Sequence, residues 1–217
     1  MMPVTPQTPP AEDSERLAAY QFALEQISFE HVYPDGTDTG FDGALGFIEE
    51  NHFALWDVTG DGTEELIIQF VTAPMERNVE TVYTWREGAL MPILTVFPNL
   101  TYYENGMVKE LWSHGDYLTG DEHPYNLYQY DAASGTYELL AEVNMWSRAA
   151  DTVNYKGDPY PEEIDTEGAG VVYLLTRSGV TETVSKSDYE EWLADTLGDA
   201  AELEIPYQAM TEENIKL

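Results

Sequence analysis

Between Phe53 and Val184 the sequence takes the same form five times: a short run rich in Val, Ile, Tyr, Phe, Trp or Thr, a turn, and a second such run. The pairs are Phe53–Trp56 with Leu66–Val71, Thr81–Arg86 with Leu90–Phe97, Leu100–Glu104 with Met107–Trp112, Tyr125–Tyr130 with Tyr137–Val143, and Val171–Arg177 with Thr181–Val184. Runs joined by so short a link fold back on each other, because a parallel pair needs a crossover of about a dozen residues or more. The chain is therefore expected to build antiparallel neighbours in sequence order. In TVYTW, NLYQYD and TYELLAEV polar and apolar residues alternate, which leaves one face of the sheet to water. Asn105-Gly106 predicts a type I′ turn, in which both central residues take positive φ.

Helical periodicity occurs only at the two ends. Leu17, Tyr20, Leu24 and Ile27 recur at three- and four-residue spacing behind Asp13 or Ser14, either of which can cap the first turn. Near the other end, Ser187-Asp188-Tyr189-Glu190 has the S-x-x-E form of a capping box, and Tyr189, Trp192, Leu193 and Leu197 make one apolar stripe that stops at Gly198. A last turn is expected at Thr211–Lys216. The expected fold class is α+β: an antiparallel β-meander of successive hairpins with an N-terminal helix and a C-terminal helix packed on it. Residues 1–12, rich in Pro and Thr, read as a flexible linker, and 13–217 as a single α+β domain. Pro34 to Gly46 and most of Trp146 to Gly170 have no period and read as loop.

Charge narrows the partners. Of 217 residues, 41 are acidic and 9 basic, for a formal net charge of −32. Nucleic acid and anionic membrane would both be repelled, since each needs clustered Lys and Arg. An apolar share of 43% separates the chain from disordered acidic proteins. The absence of cysteine removes disulfides, thiolate metal sites and cysteine nucleophiles together, and no run approaches the roughly 18 apolar residues of a membrane span. The Pro/Thr-rich start is the composition of a tether, so an export or lipid-anchoring segment upstream of Met1 is expected. The expected location is extracellular or anchored at the cell surface, and the alternative is an ordinary acidic cytoplasmic protein.

One segment has the form of a cation site. In Asp57-Val58-Thr59-Gly60-Asp61-Gly62-Thr63-Glu64-Glu65, oxygen-bearing side chains fall at alternate positions, the Thr63 carbonyl falls at the seventh, and Gly62 permits the sharp turn. Calcium asks for six to eight such oxygens. The position of the bidentate Glu of an EF-hand is Ile68, within a strand-like run, which excludes a helix–loop–helix arrangement. The stretch FALWDVTGDGTEELIIQF resembles the ALxDxxGDGxxELI segment of secreted proteins and lipoproteins of gut Clostridia, and also the calcium loop of FG-GAP-type propeller repeats. The likeness covers roughly 18 residues and implies ligand roles for Asp57, Asp61 and Glu65. With Thr59 and Thr63 these make up the candidate metal set. Thr59 stands where such loops carry Asn or Asp, so calcium is expected to bind weakly, with a dissociation constant of about 10⁻⁴ to 10⁻³ M. A metal-free hairpin held by Asp-to-backbone hydrogen bonds is the alternative.

Other groupings are weaker. Asp35, Asp38 and Asp42 share a loop without a recognised ligand spacing. Asp116, Asp121, Glu122 and His123 include carboxylates of the kind a glycosidase pairs as acid and nucleophile or base. No G-x-S-x-G elbow marks a serine hydrolase. Tyr102, Tyr103, Trp112, Tyr117, Tyr125, Tyr128 and Tyr130 crowd two hairpins, where they form either core and cross-strand pairs or an exposed stacking surface for sugar rings. The functional expectation is a non-enzymatic extracellular or cell-surface module with a calcium-binding-type loop, binding a glycan or a protein. The alternatives are a carbohydrate-active hydrolase using carboxylates near 116–123, and a purely structural domain of a surface lipoprotein.

Overall fold

Glu87-Gly88 and Ser178-Gly179 reverse the chain in two residues each, because both members of each pair take positive φ: 54° and 77°, then 50° and 76°. The flanking registers confirm the two-residue loops, Arg86 opposite Ala89 and Arg177 opposite Val180. These are the conformations whose twist matches that of the strands they join. At Asn105-Gly106 the geometry is different from the type I′ turn expected. Only Gly106 takes positive φ (74°), and its N–H donates to Tyr103 O while Tyr103 N–H donates to Met107 O. The Asn105 side chain instead accepts from Met107 N–H at 3.2 Å. That local bond is an alternative to placing Asn in the left-handed region.

The computed structural model describes residues 11–111, 124–154 and 156–217. The fold is α+β, with two antiparallel sheets and a helix from each end of the chain. The expected strands are present within a residue or two over most of their length, but the succession of hairpins is divided after β4. The first sheet holds β1 (His52–Trp56), β2 (Glu65–Phe70), β3 (Val79–Arg86), β4 (Ala89–Val96) and a two-residue strand numbered last, β11 (Gln208–Ala209), in the order β11-β1-β2-β3-β4. The second holds β5 (Leu100–Tyr102), β6 (Met107–Leu111), β7 (Tyr125–Asp131), β8 (Thr136–Ser147), β9 (Val171–Arg177) and β10 (Val180–Val184), in the order β10-β9-β8-β7-β6-β5. The chain groups into two compact units. Of the described residues, one contains 11–57, 63–98 and 205–217, and the other 58–62, 99–111, 124–154 and 156–204.

In the first unit, α1 (Ala11–Glu25) begins ahead of the expected caps, and Asp13 pairs with Arg16 at 3.4 Å. Its apolar stripe behaves as the periodicity requires. Tyr20, Leu24 and Ile27 are fully buried against Phe53 of β1, Leu66, Ile68 and Phe70 of β2, and Tyr83 of β3. Burial of each such side chain is worth about 1.5–3 kcal/mol relative to exposure. Returning from the other end, the tail adds Met210 and Ile215 to the same cluster, and Ile215 N–H closes the expected final turn onto Thr211 O. Asn51 is fully buried and fully used. Its amide donates to Ile48 O and Thr72 Oγ1, its carbonyl oxygen accepts from Val71 and Thr72 N–H, and its backbone carbonyl accepts from Met210 N–H. Glu80, also fully buried, accepts from Gln69 Nε2 at 3.2 Å and Tyr207 Oη at 2.5 Å.

In the second unit the core is largely tyrosine. Tyr103, Tyr125, Tyr173 and Tyr189 are buried with Leu127, Val143 and Leu175. Tyr173 and Tyr189 stack at 3.8 Å, and the Tyr125 and Tyr189 hydroxyls lie 2.9 Å apart. Tyr189, Trp192, Leu193 and Leu197 bring α2 (Lys186–Leu197) onto this core along the stripe foreseen. The cap is two residues earlier than the S-x-x-E pattern suggested: Ser185 Oγ accepts from Asp188 N–H at 3.1 Å, and the Ser187 hydroxyl bonds Glu167 instead. β10 ends at Val184, so Ser185 is the residue that leaves the strand in extended geometry, as a cap must. The stretch before β9 is irregular but tied down. Asp165 accepts from Ala169 and Gly170 N–H and from Tyr160 Oη, and the Tyr160 ring meets Trp146 edge to face.

Candidate functional site

One hollow of the first unit is bordered by a turn that α1 launches. The helix ends in a π-helical turn, Gln26–Glu30, closed by His31 at φ 59° with its N–H on Gln26 O. Short π segments often occur at functional positions. The chain then doubles back: Val32 bridges Asp38, Tyr33 N–H donates to Thr37 O, and Gly36 N–H to Tyr33 O. Asp35 Oδ1 stabilises the turn by accepting from Thr37 N–H at 2.8 Å, and Asp38 Oδ1 does the same for Gly40 N–H. Tyr33 is held with its ring edge-on to Phe70, centroids 5.9 Å apart.

Facing this turn are Val79, Thr81 and Tyr83 of β3 and Leu90, Pro92 and Thr95 of β4. Between them lies a cavity of about 290 Å³, which Tyr33, Pro34, Asp35 and Thr37 close from the turn side. A second hollow of about 340 Å³ shares Tyr33, Thr37 and Val79 and continues to Asp38, Thr39 and Arg77. Arg77 pairs with Asp38 at 3.1 Å, both side chains being more than half exposed. The Arg77 side chain runs so close over Gly40 that a Cβ there would lie 2.6 Å from it.

Both phenols stay protonated. Burial first, and then the nearby Asp35 carboxylate, push the Tyr33 hydroxyl well above the usual tyrosine range, against a smaller pull from Arg77. For Tyr83 burial dominates, followed by Tyr33 and Asp35. The Tyr33 Oη atom is buried and has no hydrogen-bond partner among the described residues, a state that costs stability. Chemically the cavity offers two aromatic rings, neutral hydroxyls from tyrosine and threonine, and one carboxylate already committed to its own turn. That suits binding by hydrogen bonds and ring contact. Asp35 lines the first hollow and Asp38 the second.

The residues singled out from sequence lie elsewhere. Asp57 follows directly on β1 and is half-buried, and Asp61 is exposed at the tip of the loop. Thr59 and Thr63 are half-buried, and Thr59 Oγ1 is enclosed without a hydrogen-bond partner among the described residues. Gly60 and Gly62 take positive φ, 79° and 90°. Glu65 opens β2 and is fully buried, with the Thr84 hydroxyl donating to it at 3.5 Å. Among the described residues, no three His, Asp or Glu side chains gather in a way that would hold a metal ion. Asp35, Asp38 and Asp42 each accept a backbone N–H two residues on, so they shape their own turns. Asp116, Asp121, Glu122 and His123, like Trp112 and Tyr117, lie outside the described residues. Of the remaining crowded aromatics, Tyr102, Tyr103 and Tyr125 are core, and Tyr128 donates to the buried Glu110 at 2.9 Å.

Tyr33, Tyr83, Thr81 and Arg77 were not singled out by sequence. The one local signal was Tyr33-Pro34 at the head of a Gly/Asp-rich loop. Nothing in spacing connects it to strands some fifty residues later. No protein-family model, curated protein or solved structure matches the chain.

Proposed function

We propose that this chain is a non-enzymatic extracellular or cell-surface binding module whose ligand seat is the cavity between the 33–37 turn and β3–β4. The ligand class that fits is a neutral, hydroxyl-rich molecule of glycan type. The observation that carries this reading is the lining itself: Tyr33 and Tyr83 rings, hydroxyls of Thr37, Thr81 and Thr95, and a lone carboxylate engaged in its own turn. Sugar hydroxyls both donate and accept, and so match threonine and tyrosine hydroxyls, while C–H faces pack on aromatic rings. A net charge of −32 disfavours anionic ligands.

The test is titration of the protein with neutral sugars, followed by isothermal calorimetry and by ligand-observed NMR, with Tyr33→Ala as the control. Saturable binding that Tyr33→Ala abolishes while the variant remains folded supports the reading. Binding that is indifferent to Tyr33→Ala removes the cavity as the seat. Release of reducing ends from a glycan by the purified protein would overturn the non-enzymatic assignment in favour of a hydrolase.

The Asp57–Glu65 loop enters this proposal as a weak calcium-type element, on the strength of its sequence pattern, with Asp57, Asp61 and Glu65 as its carboxylate ligands. Calcium at ten times its dissociation constant should then add about 1.4 kcal/mol, or roughly 3–5 °C in melting temperature. Magnesium should do less. A calcium response that Asp61→Asn leaves undiminished would be general screening.

A further inference from the structure

We infer that the two hollows around Tyr33 act as adjoining subsites for one ligand, so that the minimal ligand is a neutral oligosaccharide of at least two sugar rings. This rests on the glycan reading of the cavity given above.

Contiguity is the first argument. Both hollows are walled by Tyr33, Thr37 and Val79, so they meet around one tyrosine. Their volumes, about 290 and 340 Å³, each sit near the lower limit of ligand pockets, roughly 300–1,000 Å³. Jointly they suit a ligand longer than one ring.

The two ends differ in chemistry, which is the second argument. The first hollow is lined by two tyrosines, three threonines, the apolar Pro34, Val79, Leu90 and Pro92, and Asp35. The second is edged by Asp38 and Arg77, an exposed pair that places carboxylate oxygens beside guanidinium N–H groups. Neighbouring ring hydroxyls need an acceptor and a donor set side by side in this way. Exposed ion pairs contribute little to stability, about 0–1 kcal/mol, so this one can open to a ligand at small cost. Gly40 permits the arrangement, since any side chain there would collide with the Arg77 stem.

Geometry also argues against the main competing ligand, an extended peptide. β4 is an edge of its sheet and borders the cavity, but Pro92 has no N–H to give an added strand. Peptide capture by strand addition relies on that main-chain ladder.

The experiment compares glucose, galactose, mannose and xylose with maltose, cellobiose, mannobiose and xylobiose by calorimetry on the wild-type chain and on Arg77→Gln. At least one disaccharide should bind about tenfold or more tighter than its monosaccharide, and Arg77→Gln should erase that gain without lowering the melting temperature by more than about 2 °C. Equal affinity for mono- and disaccharides, with binding still lost in Tyr33→Ala, would overturn the two-subsite inference and leave the single-ring seat standing. Absence of binding by every sugar up to about 10 mM, weaker than about −3 kcal/mol, in a protein that unfolds cooperatively would overturn the glycan reading as well. A uronic-acid disaccharide that outcompetes the neutral ones would overturn the neutral-ligand assignment.

Discussion

Asn51→Ala should be among the most damaging substitutions in the first unit. The side chain spends both amide hydrogens, on Ile48 O at 3.0 Å and Thr72 Oγ1 at 2.7 Å, and its oxygen takes Val71 N–H at 2.7 Å and Thr72 N–H at 3.2 Å. Alanine leaves these partners behind. Val71 is exposed enough for water to replace its bond, whereas Thr72 is buried. Two to three groups are therefore orphaned, at about 1–3 kcal/mol each, which gives about 2–9 kcal/mol. Against a total of about 5–15 kcal/mol for a typical domain, that is a large fraction. At roughly 2–4 °C per kcal/mol for a chain of this length, the melting temperature should fall by roughly 4–36 °C. Differential scanning calorimetry measures the fall, and hydrogen exchange at the Val71 and Thr72 amides should show where protection is lost. Thr72→Val removes the partner hydroxyl, so the double variant should lose less than the sum of the singles, by about 0.5–3 kcal/mol. A shift below about 3 °C, or strict additivity with Thr72→Val, would refute the account of Asn51 as a shared clamp.

Ser185→Ala should cost about 1 kcal/mol by removing the cap of α2, and Ser187→Ala less; the opposite order in thermal unfolding would return the cap to Ser187. Asp165 resists burial, which would raise its carboxyl pKa, because Gly170 N–H, Ala169 N–H and the Tyr160 hydroxyl bond the ionised form and hold it below the usual carboxylate range. Its contribution is present above the unfolded value near 4 and lost as pH falls through the folded value, so Asp165→Asn should flatten the acid limb of a melting-temperature profile below about pH 4; an unchanged limb would contradict this. With a net charge of −32, stability should rise between low and moderate sodium chloride as self-repulsion is screened, and a flat melting temperature would show the charges to be too dispersed to matter.

Sequence alone determined what depends on neighbours along the chain. The strand pairs of each hairpin and the stripes Tyr20-Leu24-Ile27 and Tyr189-Trp192-Leu193-Leu197 are written in short spacings, where backbone period acts. Near misses were local choices among equals. Ser185 and Ser187 both can cap, and only the end of β10 decides between them. Asn105 can take positive φ or bond its own backbone, and the hairpin selects the second. The tertiary structure alone decided what joins distant segments. Pairing of His52 with Ala209 and burial of Glu80 under Tyr207 bring together residues more than a hundred positions apart, a loop closure that no periodicity encodes. The division of the hairpins into two sheets after β4 is likewise invisible, because each hairpin looks the same whichever sheet it joins. The candidate seat belongs to this second kind. A π turn at the end of α1 aims the 33–37 loop, and β3 and β4 supply the opposite wall. Tyr33 and Tyr83 therefore share a cavity through packing, with no pattern in the sequence to announce it.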